Sequence, residues 1–174
     1  MVTERRVPPF LLRGVARAID LAVQFFLMEA AFAVSAYLPS EGLVSIGEDA
    51  LFYVDLGVGL GAMVLYATLA EWLGGATFGK FCTGLRVLSA DGDPIDLKAA
   101  FIRSFAFFID GLFFGLVAYS AVMRSLTGQR LGDEWADTVV VWRGDAPETV
   151  GWRGWPVGMI AALALVVASY LVAT

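Results

Sequence analysis

Four stretches of this chain are apolar over the length that a bilayer requires. They run from about Gly14 to Leu38, Ala50 to Leu73, Ala99 to Met123 and Trp155 to Ala173. A helix rises about 1.5 Å per residue, and roughly 20 apolar residues cross the hydrocarbon core. The boundaries fall where helices stop or start. The first run ends at Pro39 and the second at Gly74-Gly75, while Pro156 stands where a first helical turn accepts proline. These runs predict an all-α membrane protein, a small bundle of three to four transmembrane helices with a short β-like cytoplasmic loop. Arg13, Arg17 and Asp20 interrupt the first run, so it is expected to stay as a span rather than be cleaved near Val34-Ser35-Ala36.

Composition excludes most alternatives. Of the 174 residues 59% are hydrophobic and only 17% charged, too apolar for a soluble domain of this size to hide. There is no histidine, and Cys82 is the only cysteine. No metal-ligand set, cofactor site or nucleophile and base pair is therefore expected, and no enzymatic reaction. The net charge of −5 argues against a nucleic-acid partner. The expected partner is the lipid bilayer, with a homo-oligomer or a membrane partner protein left open.

Charge placement sets the expected topology. Arg5, Arg6, Arg13 and Arg17 open the chain, and no Lys or Arg follows until Lys80. The positive-inside rule then places the N-terminus in the cytoplasm, the segment Pro39 to Asp49 outside, and Gly74 to Lys98 inside. The segment Arg124 to Arg153 also carries four arginines, yet a plain third span would place it outside. A re-entrant third run is the alternative; at 25 residues it is short for two half-helices, so the plain span is preferred.

One observation opposes that preference. Leu85 to Ser89 reads as a strand, Ala90 to Asp93 as a turn, and the β-branched Thr138 to Trp142 as a second strand. If the two strands pair, the third run must return to its starting side.

Charges inside apolar runs are the candidate functional residues. Arg13, Arg17 and Asp20 share one helix face, and each charge costs about 2.5–3.5 kcal/mol at a span centre unless it is paired. Arg103 and Asp110 stand seven apart on the third run, too far to pair with each other. An interhelical pair between Asp20 and Arg103 is the expected solution. Glu29 lies midway along the first run, whereas Asp55 and Glu71 lie near the ends of the second and are expected to reach water.

Gly74 to Lys80 has the glycine and lysine spacing of a phosphate loop. It lacks the following Ser or Thr and follows a span rather than a strand, so it reads as a helix stop and a basic surface turn. Gly57-x3-Gly61 and Gly111-x3-Gly115 suit close helix approach. Trp135, Trp142, Trp152 and Trp155 form an interfacial belt.

These pieces occur in a particular order: Arg13 and Asp20 in the first run, Gly79-Lys80, Gly84-Leu85-Arg86-Val87, Asp91-Gly92, Arg103, then Gln129-Arg130-Leu131-Gly132-Asp133 and Ala136 to Val140. The arrangement resembles the RDD family of bacterial membrane proteins, named for one arginine and two aspartates. It covers about Val7 to Trp142. The family arginine maps to Arg13 and the aspartates to Asp20 and Asp133. The implied division is an RDD-like membrane domain over 1–143, a linker over 144–154 and an additional C-terminal transmembrane helix over 155–174. The resemblance implies a multi-pass protein of the bacterial inner membrane with a role in transport of unidentified ligands.

Two functions are therefore expected to compete. One is transport of an ion or small solute using Arg13, Arg17, Asp20, Glu29, Arg103, Asp110, Arg130 and Asp133. The other is a non-transporting membrane scaffold or assembly partner.

Overall fold

The computed structural model describes residues 7–42, 45, 47–110, 120, 125 and 129–148. It is built mainly of helix. Helix α1 spans Phe10–Ser40 and α2 spans Glu48–Gly74. A one-turn helix α3 (Phe78–Cys82) leads into strand β1 (Leu85–Ser89). Then come α4 (Leu97–Asp110), a short α5 (Leu131–Trp135) and strand β2 (Thr138–Trp142).

Helices α1 and α2 have the length and composition of membrane spans over Phe10–Tyr37 and Ala50–Gly74. Only 33% and 11% of their most apolar windows are buried, whereas the core helix of a soluble protein would be mostly covered. Phe25, Phe26, Phe52, Tyr53, Leu65 and Trp72 all stand exposed, as lipid-facing side chains do. The remaining expected spans fall largely on residues 111–119, 121–124 and 149–174, outside the described residues, as do the Gly111-x3-Gly115 pair and the linker beyond Glu148.

The two long helices pack antiparallel. Gln24 donates to the Met63 carbonyl, and Ser35 donates to Asp55 at 2.6 Å, so contacts run down α2 as they run up α1. Close approach falls at Gly59, where an added Cβ would meet Phe32 at 2.6 Å and Met28 at 2.9 Å. Gly57 and Gly61 face open space. The expected Gly57-x3-Gly61 seam is thus displaced by two residues, onto the face that meets Phe32.

Helix α2 stops at Gly75, in the left-handed conformation (φ +63°), with its N–H donating to the Glu71 carbonyl. The chain reverses through α3 into the sheet. Strands β1 and β2 pair antiparallel from Leu85↔Trp142 to Ser89↔Thr138. Both have the bounds read from the sequence. The turn after β1 closes through Gly92 (φ +99°), whose N–H donates to the Ser89 carbonyl. The first strand is buried along Leu85, Arg86, Val87 and Leu88, and Val87 N–H also donates to the Gly75 carbonyl at 2.7 Å.

The pairing overturns the plain third span. Paired strands share one side of a membrane, so the chain between Ser89 and Thr138 cannot cross it once. The same holds for α4 and α5, since a Cβ at Gly132 would lie 2.8 Å from the Ala106 Cβ. Residues 129–148 therefore share a side with residues 75–98, and their arginines join Lys80, Arg86 and Lys98.

Candidate functional site

Two polar centres lie where α1, the end of α2, α3, α4 and the sheet converge. The first is built on Asp20, which is 1% exposed although it sits in an apolar helix. Its carboxylate accepts from the Thr77 hydroxyl at 2.5 Å, the Gly79 N–H at 2.8 Å and the Tyr66 hydroxyl at 3.3 Å. Tyr66 in turn accepts from the Phe78 N–H at 3.0 Å. The glycine-rich turn, read from the sequence as a helix stop and a basic surface turn, also holds an anion, and that anion is the chain's own carboxylate. Residue 79 must be glycine here: a Cβ would come within 1.9 Å of the Ala16 carbonyl oxygen.

The second centre is built on Arg103, 3% exposed on α4. Its Nε donates to Glu71 at 2.8 Å and its Nη1 to Asp133 at 2.6 Å. Nη1 also donates to the Thr138 hydroxyl. Glu71 accepts from Lys80 Nζ as well, at 2.6 Å. Asp133, 0% exposed, accepts from the Arg130 backbone N–H at 3.1 Å, so it caps α5 while it pairs with Arg103. Burial alone would raise the Asp133 carboxyl. The guanidiniums of Arg103 and Arg130 and the Arg130 N–H outweigh it, and hold the group well below the usual carboxylate range. Lys80 joins the centres, since its ammonium also reaches the Thr77 hydroxyl at 3.5 Å.

The expected Asp20–Arg103 pair is therefore not formed. Asp20 is satisfied by neutral donors, and Arg103 by Glu71 and Asp133. Glu71 does not reach water either; it is 4% exposed and bridges two cations. From the sequence Glu71 is expected to be a solvated helix end and Lys80 part of a basic surface turn, and neither these two nor Thr77 and Thr138 stand among the expected site residues. For Glu71 a signal was present: a carboxylate in the last turn of a helix opposes the macrodipole and needs a nearby cation.

Arg13, Arg17 and Arg130 stand beside these centres. Arg13 reaches across to the Val140 carbonyl at 3.4 Å. The guanidinium carbon of Arg17 lies over the Phe107 ring, 3.4 Å from its centroid. Both line a small, partly open cavity together with Lys80, Arg130 and Asp20; Leu85 and Val140 form its apolar wall. Glu29 is exposed on α1 and does not line this cavity. Asp110 closes α4, and its side chain lies outside the described residues. Asp55 accepts from Ser35 toward the other end of the α1–α2 pair. The structure thus brings together six of the eight candidate residues, Arg13, Arg17, Asp20, Arg103, Arg130 and Asp133.

No group of three or more His, Cys, Asp or Glu among the described residues is arranged to hold a metal ion. Compared with known proteins, residues 7–137 match the RDD family model. No curated protein and no solved structure matches.

Proposed function

The chain belongs to the RDD family, and from that premise we propose that it is a multi-pass component for transport of a small ion or solute, with the polar centre at one end of α1 and α2 as its working part. The observation that carries this reading is the cavity among Arg13, Arg17, Asp20, Lys80 and Arg130, where the membrane-like helix α1 meets α3 and the sheet. Ionisable residues are retained in such helices where they serve a pathway or an essential contact. The described basic residues beyond α2 share one side, which under the positive-inside rule is the cytoplasm, with the N-terminus. The protein on this reading is a bacterial inner-membrane protein. The apolar composition of 99–123 and 155–173 suits further membrane-embedded segments, the first returning to its starting side. One chain offers a narrow pathway, so a homo-oligomer is the working unit. No chemical reaction and no cofactor are assigned to it.

A second reading is a scaffold that docks a membrane partner protein. It is favoured by the saturation of Asp20, Glu71 and Asp133 with internal donors, which leaves these carboxylates as structural ties. The deciding experiment reconstitutes the full chain in phosphatidylethanolamine and phosphatidylglycerol liposomes and follows fluxes of protons, sodium and inorganic phosphate. Flux above empty liposomes that Arg17→Gln abolishes supports transport. No flux of any of the three, with a stable partner recovered from the native membrane, supports the scaffold.

A further inference from the structure

Helix α1 has two sides of opposite character. Asp20, Gln24, Leu27, Ala31 and Ser35 recur every three or four residues and are all buried. Three of them bond to α2 or to the turn that follows it. Gly14, Ala18, Ala22, Glu29 and Ala36 recur with the same period on the opposite side, and all are exposed. A carboxyl therefore leaves the helix on its lipid side. It does so at mid-span, because Glu29 lies 12 residues from Arg17 and 12 from Glu41, about 18 Å along the axis from each. Glu29 makes no hydrogen bond or ion pair among the described residues. Nor does the sequence offer a base at that depth, since all 12 Lys and Arg lie at the ends of the apolar runs or between them. An ionisable group in hydrocarbon is costly, and spans that keep one turn it toward a partner.

We propose that this outward face of α1 is the contact between two copies of the chain, with Glu29 of one copy meeting Glu29 of the other. Two carboxyls that share a proton act as donor and acceptor to each other. A two-fold axis along the membrane normal brings residues of equal depth together, so the pair forms without any further group. A foreign helix would have to bring a base to the same depth; a second copy needs nothing that this chain lacks. The rest of the face suits close approach of two backbones. Gly14, Ala18 and Ala22 stand four apart, the small-x3-small spacing of packed membrane helices, and a Cβ at Gly14 would meet nothing within 4 Å. Phe25 and Phe26, 53% and 65% exposed, flank Glu29 and close around the carboxyl pair. Helix α2 packs on the other side of α1, so the contact leaves the buried polar centres undisturbed. This assignment rests on the homo-oligomer of the transport reading and gives that assembly a surface.

The test is disulfide cross-linking of the full chain in phosphatidylethanolamine and phosphatidylglycerol liposomes, in a Cys82→Ser background. Ala22 and Ala36 stand two turns before and after Glu29 on the same face. Oxidation with copper phenanthroline is expected to double the mass of Ala22→Cys and Ala36→Cys. Leu65→Cys, on an exposed side of α2, is expected to stay single. The part played by Glu29 is read from energy transfer between copies labelled at the N-terminus, as added lipid dilutes them. Glu29→Ala is expected to weaken association roughly tenfold. Glu29→Gln, whose amide also offers a donor and an acceptor, is expected to stay within about threefold of the parent. Glu29 is exposed in the single chain, so neither change removes an internal contact, and unchanged denaturation midpoints verify this. No cross-link from either cysteine, equal cross-linking from Leu65→Cys, or undiminished association of Glu29→Ala overturns the contact. Equal losses in Glu29→Gln and Glu29→Ala overturn it too, and cross-links to a second protein in the native membrane then assign the face to a foreign base. Copies that associate through α2 keep the homo-oligomer and lose this face, whereas a chain that stays single loses both. Flux is scored separately. A cross-linked pair that moves nothing in liposomes keeps the contact and removes transport, and flux from single chains does the reverse.

Discussion

Asp20, in the first span, accepts a hydrogen bond from the backbone N–H of Gly79 at 2.8 Å, across 59 positions of sequence. The same carboxylate takes the hydroxyl of Thr77, the residue that precedes α3. A buried carboxylate in an apolar helix thus supplies the acceptor for one of the first N–H groups of a one-turn helix, and the turn supplies the donors that make the buried group tolerable. Each half of this arrangement is costly alone. Together they clamp α1 to the turn that follows α2 and set where β1 begins.

Gly79→Ala is expected to break this clamp. Its Cβ would lie 1.9 Å from the Ala16 carbonyl oxygen and 3.0 Å from the Asp20 carboxyl carbon. The nearer atom is backbone, so α1 itself must move. Overpacking of this kind costs about 3 kcal/mol or more. Gly61→Ala is the control, since nothing lies within 4 Å of that position, and its effect should stay within about 0.5 kcal/mol. Denaturation midpoints of the two variants in one detergent make the comparison.

Arg103 ties α2, α5 and β2 to α4 through Glu71, Asp133 and Thr138. Arg103→Gln leaves two buried carboxylates short of a partner, and a loss of about 3–5 kcal/mol is expected. Lys80→Gln should cost less, because Arg103 still holds Glu71 and Lys80 is partly exposed. A double-mutant cycle locates the coupling. Arg103 with Asp133, or with Glu71, should show an interaction of about 1–3 kcal/mol. Arg103 with Asp20 should be close to additive, and strong coupling there would contradict the observed partners.

How much of this was legible follows from what each residue advertises. The β-branched run Thr138 to Trp142 and the Asp91-Gly92 turn announce themselves, and both strands have the bounds read from the chain. The long spans are equally plain, because hydropathy is a local property. Asp20 and Asp133 were singled out as charges inside a span and beside a turn, and through the family resemblance. Their partners were not legible. Matching acids to bases by sign pairs Asp20 with Arg103, yet the donors used by Asp20 are a threonine hydroxyl, a tyrosine hydroxyl and a peptide N–H. No charge count reveals such groups; only the reversal of the chain at Gly75 puts them within reach. Gly59 was overlooked for a similar reason. Spacing marks Gly57 and Gly61, but which face of α2 meets Phe32 is a tertiary matter.

Asp133 should give the fold an acid-side limit. Its carboxyl titrates well below the ordinary value because, despite burial, Arg103 and Arg130 favour the ionised form. A group whose folded value is depressed contributes stability that is fully present above its unfolded value, about 3.9. That contribution is lost as pH falls further toward the folded value. Denaturation midpoints should therefore be insensitive to this group from pH 7 down to about 5 and decline below about 4. Asp133→Asn should lower the midpoint at pH 7 and flatten the decline. A variant with the same acid slope as the parent would show that Asp133 does not govern it.

The antiparallel sheet makes a topological prediction that a single native thiol can test. Cys82 is exposed at the end of α3, three residues before β1. Asp145 is exposed three residues after β2. Leu85 pairs with Trp142, so these two positions flank the same end of the sheet. In intact cells or oriented vesicles, Cys82 and a cysteine placed at Asp145 in a Cys82→Ser background should react with a membrane-impermeant maleimide from the same face. A single crossing between Ser89 and Thr138 would place them on opposite faces, and reaction from opposite faces would refute the strand pairing. Reaction of both from the cytoplasmic face would also support the orientation inferred from Lys80, Arg86 and Lys98. Reaction of both from outside would invert that orientation and leave the sheet intact, because pairing fixes only that the two segments lie together.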